Sequence, residues 1–241
     1  MAFPQMNQTR PIPGAVATQG VDVRRDFIRK TYAFLAAAVL GFVATSIVLF
    51  DSGISLAMTK WVFLNGRFAW LGVLIAFVVV GKLADSWSRS DNSRGMQYVG
   101  LAVYVVAEAF IFAPLLYVAA IYSDPSVIPN AATLTIALFA GLTGTVFLTK
   151  KDFSFLRGAI VIGSMIAMGI VVGSLLFGFQ LGMVFAAAMI ALAGGSILYQ
   201  TSQILAHYRP TQHVSAALGL FASVALMFYY ALIFFMSMNR R

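Results

Sequence analysis

Apolar runs long enough to cross a bilayer recur along this chain between short polar interruptions. They fall at roughly 31–50, 68–86, 97–122, 130–149, 157–177, 181–205 and 213–238. A helix needs about 20 mostly apolar residues to span the hydrocarbon core, so each run predicts one transmembrane helix. The interruptions carry turn chemistry. Asp51-Ser52-Gly53 ends the first run, and Asp124-Pro125 with Pro129-Asn130 brackets the turn after the third. Lys150-Lys151-Asp152 marks the fourth exit, Phe177-Gly178-Phe179-Gln180 the fifth, and His207-Tyr208-Arg209-Pro210 separates the last two. Glycine and proline punctuate because they leave or forbid helical backbone. The prediction is an all-α integral membrane protein with seven transmembrane helices.

Upstream, residues 1–22 mix Pro4, Pro11, Pro13, Gly14 and Gly20 with polar and small side chains, which predicts a flexible tail. Residues 23–30 are short and basic, and should continue into the first span as one helix. Residues 23–241 then form a single membrane domain with no room for a second folded unit. No small-residue cleavage pattern follows the first run, so it is expected to stay in the membrane.

Composition agrees. Hydrophobic residues make up 61% and charged ones 10%, against roughly 25% charged in soluble domains. The net charge of +8 does not form a basic patch. It sits at the ends of apolar runs, where topology and anionic headgroups explain it, so no nucleic-acid partner is expected. Twelve Lys and Arg fall on the side of the tail and four on the other. The positive-inside rule predicts a cytoplasmic N-terminus and, after seven spans, an external C-terminus. The absence of cysteine excludes disulfides, thiolate metal sites and cysteine nucleophiles.

Glu108 is the acidic residue placed deepest in any run, near the middle of the third. A charge at bilayer depth costs about 2.5–3.5 kcal/mol on insertion scales, so Glu108 should face the bundle interior. It reads either as a proton- or cation-sensitive group lining a path, or as a carboxyl bonded to a neighbouring helix. Pro114, two turns on, removes a backbone donor and marks a candidate kink. His207 and His213 lack an acidic or cysteine partner for a metal site. No histidine or aspartate pair lies at membrane depth beside Ser164, Ser174 or Ser196, and no HExxH, P-loop or GxGxxG is present, so neither an enzyme nor a cofactor is expected. Gly169 with Gly173, and Gly178 with Gly182, offer small faces for helix packing.

Five stretches in order resemble the Bax inhibitor-1 family and its bacterial YccA-like branch. They are Arg29-Lys30-Thr31-Tyr32, the segment Tyr104 to Tyr117 containing Glu108 and Pro114, Thr149-Lys150-Lys151-Asp152-Phe153-Ser154 (the family's TKKDFS), Ser196 to Ser202 in place of its LYDT segment, and Ala216 to Ser223 in place of its last span. The resemblance implies six helices around a central seventh. It implies two roles: association with a membrane-anchored AAA protease, or a pH-sensitive calcium leak governed by paired aspartates. The two sensor positions fall here on Gln200 and Ser223, which carry no negative charge, and Gln200 departs even from the YccA-like branch. The family's loop motif falls on Lys151 and Asp152, the latter also explicable as a local loop cap. The resemblance therefore favours the regulatory role in a bacterial inner membrane, with the leak as alternative. In that alternative, calcium would need oxygen ligands such as Glu108, Asp51 and Asp124.

Overall fold

The computed structural model describes residues 14–89, 94–149 and 151–239. Lys150 of the family motif, the terminal Arg240 and Arg241, and tail residues 1–13 lie outside them. Within the described residues the chain forms α1 (Val21–Asp51), α2 (Ile54–Ser88), α3 (Arg94–Tyr122), α4 (Val127–Thr149), α5 (Leu156–Phe177), α6 (Met183–His207) and α7 (His213–Met238). Each contains a stretch long and apolar enough to cross a membrane. The predicted spans are matched to within a few residues, except that α1 and α2 are longer. α1 absorbs the basic stretch before Thr31, as expected.

α2 begins with a helical segment that the apolar pattern does not announce. Gly66 (φ 69°, ψ −167°) breaks it from the spanning part, Leu71–Ser88. The leading segment points Trp61, Phe63 and Leu64 outward and buries Ser55 and Thr59. Apolar side chains outside and small polar ones inside is the arrangement lipid demands, and Thr59 satisfies its hydroxyl on the Ser55 carbonyl at 2.7 Å. The same back-bonding serves Thr45, Thr135 and Thr145 in other spans.

α7 forms the middle of the bundle. Its buried side chains include Leu220, Phe221, Met227 and Leu232, and it packs against α1, α3, α4 and α6. Phe112 of α3 knits the centre, meeting Phe42 edge-on at 4.9 Å, Tyr229 edge-on at 5.2 Å and Phe228 stacked at 5.7 Å. With lipid as apolar as the core, such van der Waals complementarity must hold the helices together. α5 is the outlying helix, with Met165, Ile166 and Leu176 mostly exposed.

Among the described glycines, the closest approach is at one that the glycine pairs did not flag. A Cβ on Gly100 would lie 2.7 Å from the Ala84 carbonyl oxygen and 2.9 Å from the Ser88 nitrogen, so α2 and α3 touch backbone to backbone there. Gly169 and Gly182 have nothing within 4 Å, and Gly173 meets only the Phe179 ring. Gly178 serves as a left-handed helix end (φ 79°), its N–H donating to Ser174 at 2.9 Å.

The end of the expected tail is structured. A 3-10 turn at Val16–Thr18 lies against α6 and α1. Ala15 and Val16 are fully buried, and the Val16 N–H donates to the Tyr208 carbonyl at 2.9 Å. Composition suggested flexibility, but one apolar side chain with a docking cleft is enough to order a short turn. Burial raises the Tyr208 phenol above its usual range, with nearby Arg89 opposing the shift.

Candidate functional site

Gln200 and Ser223, on neighbouring helices, meet. The Gln200 Nε2 donates to Ser223 Oγ at 2.7 Å, joining α6 to α7. Gly219, one turn before Ser223, makes room: a Cβ there would come within 3.0 Å of Gln200 Oε1. That oxygen is buried with no partner in the chain. One residue along α6, Thr201 faces Tyr32 of α1, which also faces Thr143 of α4, yet none of the three hydroxyls has a partner at hydrogen-bonding geometry. The result is a buried polar layer, contributed by α1, α4, α6 and α7, made entirely of neutral groups.

Glu108 lies elsewhere. It is 7% exposed on α3, and its Oε2 has no partner in the chain. It lines a cavity of about 210 Å³ with Phe185, Leu226, Tyr229 and Tyr230. The interior placement expected for an intramembrane acid is found, without a bond to a neighbouring helix at that oxygen. Pro114 is buried within α3, which continues through it. Its missing N–H leaves the Phe110 carbonyl without its helical donor.

The remaining candidates are local. Asp152 accepts the Ser154 N–H at 2.8 Å and the Ser154 hydroxyl at 3.1 Å, closing the turn into α5. Lys151 is exposed, its N–H reaching Thr149 Oγ1 at 3.5 Å. Asp124 makes the matching turn before α4: bonding to Ser126 holds its carboxyl below the usual range. His213 packs its ring on Phe34 at 5.3 Å. No group of three or more His, Cys, Asp or Glu residues placed to hold a metal occurs among the described residues. Sequence reasoning missed the Tyr32–Thr143–Thr201 layer. Single hydroxyls in apolar runs are common, and only the fold brings Thr143 and Thr201 to Tyr32.

The profile of the family described as "Inhibitor of apoptosis-promoting Bax1" matches residues 24–241. The chain is 37% identical to an uncharacterized protein of Pseudomonas aeruginosa, over 43% of this chain and 46% of that one. That match spans less than half of its relative, whereas two others run nearly end to end. Bax inhibitor 1 of Schizosaccharomyces pombe is 27% identical over 94% of this chain and 80% of its own. An uncharacterized membrane protein of Vibrio cholerae is 25% identical over 95% and 94%. On the strength of a profile covering all seven helices, the chain belongs to the Bax inhibitor-1 family.

Proposed function

We propose that this multi-pass protein is a regulator that works by association, with a membrane-anchored AAA protease as partner, and that it lacks a titrating gate. The observation carrying this reading is the Gln200–Ser223 bond of 2.7 Å. Two carboxylates in such contact would share a proton and titrate as a coupled pair. An amide and a hydroxyl hold the same two helices together and do not ionise in any ordinary pH range. The bacterial relatives and the charge asymmetry support residence in a bacterial inner membrane with the N-terminus in the cytoplasm.

The test is calcium flux into proteoliposomes at acidic and alkaline pH, paired with affinity capture from detergent-solubilised membranes. No acid-dependent flux, with a AAA protease retained on the protein, is the expected result. Acid-dependent flux without a retained protease overturns it.

The second reading is a cation leak, which the buried Glu108 Oε2, without a partner in the chain, favours. If it holds, Glu108→Gln abolishes the flux; flux unchanged in that variant removes Glu108 from any path.

A further inference from the structure

The regulatory reading leaves Glu108 without a task, and the cavity around it suggests one. The Glu108 chamber, about 210 Å³, is not isolated. Leu74, Val171, Leu226 and Tyr230 line both it and a second cavity of about 540 Å³ between α2 and α5. That second cavity is a groove open to the lipid face: Ile75, Val79 and Met168 on its walls are each more than half exposed, while Ala167, Met189 and Tyr230 at its base are buried. α2 and α5 barely touch, which leaves the groove unfilled. Its size falls within the range of small-molecule sites, roughly 300–1,000 Å³.

We infer that this groove and chamber form a binding site for a single-chain amphiphile with an ammonium head, its alkyl chain lying between α2 and α5 and its head against Glu108. This rests on neither reading of the regulatory or leak activity. The head chemistry follows from the chamber wall. Glu108 supplies an acceptor, 7% exposed and with no partner at Oε2. Phe185, Tyr229 and Tyr230 supply aromatic faces, with Phe185 and Tyr230 at 5.7 Å and the two tyrosines at 5.4 Å. A carboxylate beside several aromatic rings is the combination that attracts organic ammonium groups. No Lys or Arg lines the chamber, so nothing there would compensate a phosphate or carboxylate head.

Proton balance also fits. An ammonium with a carboxylate and a neutral amine with a carboxylic acid hold the same protons and no net charge. The occupied site therefore never buries an unpaired ion, which would be costly. The chain chemistry follows from the groove, whose lining is aliphatic apart from Ser164 and Tyr230.

The experiment uses the full chain in lipid nanodiscs and hexadecylamine carrying a photoreactive diazirine in mid-chain. Saturable labelling is expected, mapping to α2 between Leu71 and Val79 and to α5 between Ser164 and Val172. Unlabelled hexadecylamine should compete, and hexadecanol and palmitate should not. Glu108→Gln should lower labelling at least tenfold while the melting temperature without ligand stays near that of the parent. Val171→Trp leaves the carboxyl intact but fills the passage shared by both cavities, and should lower labelling as much. Equal competition by the alcohol, stronger competition by the fatty acid, or full labelling of either variant would overturn the site.

Discussion

Two polar places inside the same bundle are built on opposite terms. Between α6 and α7, Gln200 and Ser223 join each other at 2.7 Å and neither can be charged. On α3, Glu108 is buried and ionisable, yet its Oε2 has no partner in the chain and the space beside it is empty of side chains. The first arrangement is structural in its energetics, because removing one partner strands the other. The second contributes little to holding helices together and so must be explained by something outside the fold. Buried polar groups that bond one another report on packing; one that faces a cavity reports on what enters it.

The comparison breaks most sharply if the neutral pair is replaced by acids. Gln200→Asp with Ser223→Asp places two carboxyls where one hydrogen bond now runs. The pair must share a proton or repel, so the variant should melt well below the parent in alkaline buffer and recover in acid. If the leak mechanism survives in this scaffold, the variant should also gain pH-dependent calcium flux in proteoliposomes. A melting temperature independent of pH would show that the two positions do not face each other.

Next in size is Gln200→Leu, which strands the Ser223 hydroxyl and should cost about 1 kcal/mol in reversible unfolding. Adding Ser223→Ala should recover part of it, with a coupling of about 0.6–1.7 kcal/mol in the double-mutant cycle. Gly219→Ala is a milder way to strain the same contact. Its Cβ would reach 3.0 Å from Gln200 Oε1, the movable end of a side chain. The cost should be smaller than for Gln200→Leu and should vanish in that background. The smallest effect is expected at the other site. Glu108→Gln loses no bond at Oε2, so the unfolding free energy should change by under about 0.5 kcal/mol. A larger loss would mean that Glu108 holds helices together after all.

The sequence was most readable where lipid acts directly on it. All seven apolar runs became helices, five of them with both ends close to those expected, because a bilayer admits few other solutions for an apolar stretch. Gln200 and Ser223 could be placed together only through the family resemblance; nothing in their local sequence pairs them. Gly100 escaped notice and Gly169 with Gly173 drew it, because a spacing says that helices can approach and not that a neighbour is there. The helix before Gly66 was hidden by its mixture of Lys60 with Trp61 and Phe63, too polar for a span. The chamber at Glu108 required five helices, α2, α3, α5, α6 and α7, to leave a gap, and gaps leave no mark on a sequence.

The bond from Val16 to Tyr208 has a consequence in time. Val16 leaves the ribosome before any of the seven spans, and Tyr208 follows only after six of them have been made. The amide that joins them therefore cannot find its acceptor until the loop into α7 exists, and Val16 cannot be covered before then. In an unfinished or misassembled chain Val16 has no Tyr208 carbonyl to bond; in a finished one it is bonded and buried. For a protein proposed to keep company with a protease, the strap doubles as a certificate of completion.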